Sequence, residues 1–171
     1  MLQHMHIGKR IVLPSTFIGS ARNLRLRYQD AMAIVRTYGK PDLFITFTCN
    51  PQWSEIVASL KPGQTSSDRP DLIARVFQLK LKELLREILE RQIFGKVLAH
   101  MYVIEFQKRG LPHAHILLIL SPGDKPTSPA HYNSFVSAEI PDPMAHPRLH
   151  SIVARNMIHG PCGSANPIRL A

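Results

Sequence analysis

The stretch MYVIEFQKRGLPHAHILLIL, Met101 to Leu120, constrains this chain more than any other. Two apolar runs flank a polar segment, QKRGLP, whose Gly110 and Pro112 interrupt regular structure, so the pattern predicts a β-hairpin. The second run opens with His113-Ala114-His115. Residues two apart on a strand share a face, so both imidazoles leave the sheet side by side. The first run carries one acid, Glu105, among apolar neighbours. If the hairpin closes around its turn, that carboxylate lies near His113. Two imidazoles and a carboxylate converging on one spot outline a divalent-metal site. The competing reading is a pair of half-buried histidines satisfied by backbone carbonyls, and residue types alone leave both open. Glu105 weighs against simple packing, because a buried, unpaired carboxylate is costly unless it neutralises.

The remaining sequence must provide a core for that hairpin. Of 171 residues, 44% are hydrophobic, which is enough for one domain with irregular ends. The 21 Lys and Arg outnumber the 12 Asp and Glu, for a net charge of +9 and a pI of about 10.0. That balance favours a polyanionic partner, nucleic acid or a membrane surface, without choosing between them. A basic protein with no such partner is the alternative. Two cysteines, Cys49 and Cys162, are too few for a disulfide framework and point to a reducing compartment. No apolar run reaches the roughly 18 residues that a membrane span needs. The opening MLQHMHIGKR lacks the apolar centre of a signal peptide. There are no internal repeats.

Taken in order, residues 1–20 read as an N-terminal extension with a short edge strand at 10–14. His4 and His6 repeat the H-x-H spacing, but a chain terminus is a poor place to hold a ligand. Residues 21–38 read as a helix with Leu24, Tyr28, Ala31, Met32, Val35 and Tyr38 on one face. Gly39 ends it and Pro41 follows. Arg22, Arg25, Arg27 and Arg36 give this helix a basic side that could grip phosphates or simply be solvated. LFITFT, residues 43–48, reads as a strand stopped by Cys49-Asn50-Pro51. Trp53 reads as a packing residue, with base stacking as its alternative. Pro70 suits a first helical turn. Residues 71–94 then read as a long amphipathic helix, with Ile73, Phe77, Leu81, Leu84, Leu85, Ile88 and Leu89 inward and Gly95 closing it. Arg86/Glu90 and Glu87/Arg91 are spaced as ion pairs on its outer side.

Beyond Leu120, prolines at 122, 126, 129, 141, 143 and 147 break any period, so 121–150 reads as an irregular extension and 151–158 as a short helix. Three regions follow: an N-terminal extension at 1–20, a core at 21–120 and a Pro-rich C-terminal extension at 121–171. The strand–helix–strand crossover makes the first two strands parallel, and the hairpin adds an antiparallel third. The expected class is α+β, an antiparallel-containing central sheet with helices on one face. It corresponds to a ferredoxin-like arrangement lacking one helix and one strand.

Several segments carry a family resemblance. YQDAMAIVRTYGKPDLFITFTCNPQW, RPDLIARVFQLKLKELL, FGKVLAHMYVIEFQKRGLPHAHILLIL, SAEIPDP and MIHGPCG resemble the Helitron helicase-like domain, the N-terminal Rep-type region of Helitron transposases, from about Lys9 to Pro167. The resemblance implies a rolling-circle initiator of the HUH endonuclease class. FITFTCNP is similar to the first Rep-type motif, and PHAHILL to the HUH motif whose two histidines bind a catalytic divalent metal. That carries over to His113 and His115. The third ligand in such sites is often an acid on the neighbouring strand, a place that Glu105 fits, eight residues before His113. The implied cofactor is Mg²⁺ or Mn²⁺ and the implied substrate is single-stranded DNA. A tyrosine in such proteins attacks the scissile phosphate, leaving a 5′-phosphotyrosine link and a 3′-OH. A nuclear site of action is implied for a product that works on DNA, and a cytoplasmic one is the alternative.

The sequence also departs from the family. The catalytic tyrosines of the family stand in a tyrosine-rich motif beyond the HGPCG segment, followed by a helicase. None of Tyr28, Tyr38, Tyr102 and Tyr132 stands in that context. Tyr28 and Tyr38 read as helix packing, Tyr102 faces away from Glu105 by parity, and Tyr132 in the Pro-rich segment is the remaining nucleophile candidate. Further cysteines expected after HGPCG are missing, so Cys162 with His159 makes an incomplete zinc site. The expectation is a truncated product that binds divalent metal and single-stranded DNA and cuts only if a tyrosine comes from another chain, such as a full-length transposase. The alternatives are an active endonuclease using Tyr132, an inactive transposon relic, and a hydrolase of small phosphoesters.

Overall fold

The computed structural model describes residues 11–107 and 110–158. His4, His6, the turn residues Lys108 and Arg109, His159 and Cys162 lie outside the described residues. The chain divides into two compact units, residues 1–125 and 126–171.

The first unit holds α1 (Ala21–Tyr38), β1 (Leu43–Thr48), the short α2 (Ser54–Val57), α3 (Pro70–Leu89), β2 (Val97–Phe106) and β3 (Pro112–Leu120). The class is α+β, with a three-stranded sheet in the order β1-β3-β2 and β3 antiparallel to both neighbours. The first two strands are therefore parallel, as the crossover requires, but they do not pair. The connection through α3 leaves a gap one strand wide, and the second arm of the hairpin fills it.

The alternation of β3 decides which face is core. Ala114, Ile116 and Leu118 are fully buried, and Ile73, Phe77, Leu81 and Ile88 of α3 join them in one cluster. Leu43, Ile45 and Phe47 of β1 pack against the same cluster. All seven inward residues expected on α3 lie in or against this core, along with Leu72 and Val76. Pro70 is the first helical residue, where its missing N–H breaks no bond. The helix stops at Leu89, earlier than its period suggested, because Gln92 and Gly95 take positive φ and turn the chain back. Gly95 is also required sterically, since a Cβ there would sit 2.6 Å from Cβ of Asp124. Both expected ion pairs form on the solvent side, Arg86–Glu90 at 3.8 Å and Arg91–Glu87 at 2.7 Å. Exposed pairs of this kind contribute a few tenths of a kcal/mol.

Two carboxylates close the end of the sheet away from the hairpin turn. Asp42 accepts from Leu120 N at 2.9 Å and pairs with Lys125 Nζ at 3.1 Å. Asp124 accepts from Lys96 N at 3.0 Å and from Ser121 Oγ at 2.6 Å.

Helix α1 departs from its expected packing. Ser20 caps it by accepting from Asn23 N, and Asn23 Nδ2 donates to Ser15 O at 2.7 Å, so the segment before the helix is tied to it. Of the anticipated face, Ala31, Met32 and Val35 are half-buried, together with Ile34, but Leu24, Tyr28 and Tyr38 are exposed. The period is real but the partner is small: the main support of α1 is β2, while α3 already covers the β1–β3 half.

The second unit contains α4 (Pro129–Phe135) and α5 (Pro147–Asn156). The Pro-rich stretch is thus less irregular than its composition suggests. Pro129 and Pro147 each begin a helix, where a fixed φ helps and no donor is lost. Asp142 accepts from Met144 N and Ala145 N, and these bonds hold its carboxyl below the usual range. His150 Nδ1 meets Pro141 O at 2.7 Å.

Truncating the core face of α3 should be far more damaging than truncating its outer face. Phe77→Ala is expected to lower the unfolding free energy by about 3–5 kcal/mol. Leu79→Ala, at a residue 67% exposed, should change it by less than about 0.5 kcal/mol. Urea midpoints measure both, and equal shifts would contradict this packing.

Candidate functional site

The face of β3 that does not enter the core presents His113 and His115 together, with ring centroids 4.5 Å apart and planes at 70°. The sheet register sets their neighbours. Thr48 of β1 and Glu105 of β2 both lie directly opposite His113, while Thr46 and Val103 lie opposite His115. Directly opposed residues in an antiparallel pair share a face. One row across the sheet therefore reads Thr48, His113, Glu105, and the next reads Thr46, His115, Val103.

Side-chain contacts refine that register. Thr48 Oγ1 lies 2.5 Å from Nδ1 of His113, and which atom donates follows the tautomer. Glu105, opposite His113 in register, sends its carboxylate diagonally to His115, with Oε2 at 3.4 Å from Nε2. Its side chain is 64% exposed and that of His115 is 28% exposed. Nδ1 of His115 is buried with no hydrogen-bond partner. The Phe44 ring lies parallel to the His115 ring, 5.4 Å away and tilted by 7°. Among the described residues, no three His, Cys, Asp or Glu side chains are already gathered around a single point.

The strand LFITFT serves both layers by simple alternation. Ile45 and Phe47 pack into the core, and Phe44, Thr46 and Thr48 point with the histidines. The end of β1 is anchored to the start of β3 by Cys49 N donating to Pro112 O at 3.0 Å. Asn50 Oδ1 then accepts from Gln52 N at 2.9 Å, forming the turn expected ahead of Pro51. Trp53 is a packing residue: it stacks on Phe47, which stacks on Phe77, and Lys80 Nζ sits 5.0 Å above its ring. Lys80 also pairs with Glu55 at 2.7 Å, and that hydrogen bond lowers the Glu55 pKa.

The other candidates from the sequence fall elsewhere. Tyr102 pairs with Ile116 and so belongs to the opposite parity from Glu105. Tyr28 and Tyr38 are exposed on α1 rather than packed. Tyr132 is half-exposed on α4 of the second unit. Thr48 and Phe44 were not among the residues singled out by sequence, although the polar–apolar alternation of β1 carried the signal.

An α+β domain whose open sheet face displays an H-x-H pair between a threonine and a glutamate defines the class. The family model that matches is the Helitron helicase-like domain at the N-terminus, over residues 2–118, and the chain belongs to that family. The first unit is accordingly a Helitron transposase-related region, and the match stops inside β3. No curated protein matches the chain. Among the described residues, no helix is long and apolar enough to cross a membrane.

Cys49 beside this site is a structural thiol. It is 3% exposed, and burial pushes its pKa up to about 11. In a Cys162→Ser variant, native Cys49 should therefore react with iodoacetamide at mildly alkaline pH on the order of 100-fold or more slowly than after urea unfolding. Reaction should accelerate as pH climbs toward about 11. Comparable native and unfolded rates would show that the β1 terminus opens freely.

Proposed function

We propose that the first unit binds a divalent cation, Mg²⁺ or Mn²⁺, between His113, His115 and Glu105, and binds single-stranded DNA across the same sheet face. On this reading it is the metal-holding half of a Rep-type (HUH) rolling-circle nuclease. The observation that carries the proposal is the placement of both imidazoles on one open face, with a carboxylate and a hydroxyl supplied by the flanking strands.

The donor set suits the role. Nitrogen and carboxylate ligands together fit Mn²⁺ well and accept Mg²⁺. Thr48 occupies Nδ1 of His113, which leaves Nε2 for a ligand. A proton on Nδ1, donated to the threonine oxygen, fixes that tautomer and aims the Nε2 lone pair at the open face. Glu105 is exposed enough to change rotamer from its contact with His115 and join both nitrogens. Nδ1 of His115 is buried, which leaves Nε2, the atom facing Glu105, as the one that can be used. A cation held there supplies Lewis-acid polarisation of a phosphodiester.

The chain's own residues position and grip. A net charge of +9 supports attraction of a polyanion, and its affinity should fall with salt as phosphate contacts release counterions. Arg27 and Asp30 of α1 line a cleft of about 300 Å³ with Val103, which is the residue directly opposite His115. The only tyrosine on the three strands, Tyr102, lies on the opposite face, so the sheet supplies no tyrosine hydroxyl beside the histidines. Strand transfer therefore requires a tyrosine from outside the sheet.

Calorimetric titration with Mn²⁺ tests the metal site. His113→Ala and His115→Ala should each abolish measurable binding. Thr48→Val, nearly isosteric, should weaken it roughly 10- to 100-fold, as loss of a partner behind a ligand does. Unchanged thermal unfolding midpoints for the apo variants would separate ligation from folding. Wild-type protein that takes up Mn²⁺ no better than the double alanine variant would sink the proposal.

A further inference from the structure

The histidine face carries an aromatic residue that metal binding leaves unused, Phe44. Phe44 sits on β1 between Leu43 and Ile45, both of which pack against the core, yet Phe44 itself is 62% exposed. Single exposed apolar residues are common and need no explanation. What distinguishes this one is its orientation. Phe44 lies opposite Leu117 and Thr46 lies opposite His115, so Phe44 and His115 are diagonal neighbours. Their rings are parallel within 7° at a centroid distance of 5.4 Å. One side of the phenyl ring is thus set by the imidazole, and the ring stands beside the point where a phosphate would meet the histidines.

We propose that Phe44 is a stacking platform for a nucleobase of single-stranded DNA, the base adjoining the phosphate held at the His113–His115 pair. The inference rests on the reading that this face accepts single-stranded DNA, and it assigns the residue that engages the base. Across the sheet the order is Phe44 on β1, His115 on β3, Val103 on β2 and then Arg27 of α1 beside Val103. An aromatic ring beside an imidazole pair matches a base beside its phosphate, and Arg27, which shares its cleft with Asp30, lies further along the same row. Every base has a π-face, so stacking of this kind tolerates any sequence. A base paired inside a duplex has no free face, so the platform selects unpaired strands.

Fluorescence anisotropy with the whole chain in the presence of Mn²⁺ tests this, using labelled oligothymidylate of about 12 nucleotides, within the usual site size of single-strand binders. An abasic oligonucleotide of the same length and charge serves as the comparison. Wild type should bind oligothymidylate more tightly than the abasic strand. Phe44→Leu should weaken oligothymidylate binding by roughly 5- to 100-fold, leave abasic binding unchanged, and keep the salt slope of the wild type. Phe44→Trp should retain the preference. Circular dichroism melts matching wild type would show the variants folded. Equal affinity of wild type for the two strands, or a Phe44→Leu loss that is the same on both, would overturn the platform while single-strand binding stands. Failure of wild type to bind either strand would overturn the single-strand reading itself, and the platform with it.

Discussion

Strand β3 is paired along both edges, and that double pairing ties the core to the candidate site. The same register that sends Ala114, Ile116 and Leu118 toward α3 sends His113 and His115 to the open face. A slip of one residue would turn the imidazoles toward the Phe77 side and push Ile116 into solvent. Both changes are expensive, because two polar rings would be buried away from solvent, Thr48 and Glu105, and an isoleucine would lose its burial. The position of the histidines is therefore not an independent feature needing its own stabilisation. It is held by the free energy of the hydrophobic core.

That arrangement also explains where the hydrogen bonds outside the ladder are placed. At one end of the sheet, Asp42 and Asp124 tie the finish of β3 to the chain on either side. At the other, Cys49 N reaches Pro112 O and Thr48 reaches His113. Both ends of the strand are fixed, so the imidazoles stand on a scaffold set before any ligand arrives. Preorganisation of this kind lowers the ordering cost of binding. Glu105 is the exception, since its carboxylate is exposed and reaches diagonally rather than along its own row.

Much of this was legible in the sequence, and the limits follow from distance along the chain. The hairpin, the shared face of His113 and His115 and the inward stripe of α3 are local patterns that a strand or helix period reveals directly. The opposition of Glu105 and His113 followed from closing a short turn. The contact of Thr48 with His113 could not be read that way, because it spans 65 residues and depends on how β1 docks beside β3. The exposure of Leu24, Tyr28 and Tyr38 was hidden for a related reason. A period shows that a helix has an apolar side, but not how much partner surface is left to cover it. In the Pro-rich stretch, composition misled, since Pro129 and Pro147 start helices rather than interrupt them.

The charges on the open face add a further constraint. Its imidazoles carry no fixed charge when neutral, while Glu105 is an exposed carboxylate in the middle of it. A phosphate about 4 Å from that carboxylate would be repelled by roughly 1 kcal/mol even in bulk water, and by more near the low-dielectric sheet. On the proposed reading, a divalent cation between His113, His115 and Glu105 reverses this sign and leaves a local net positive charge. Metal and DNA would then bind cooperatively, and linkage requires that each raise the affinity for the other by the same factor. On that reading the carboxylate proposed as the third ligand would also be the group that opposes phosphates on this face in the absence of the cation.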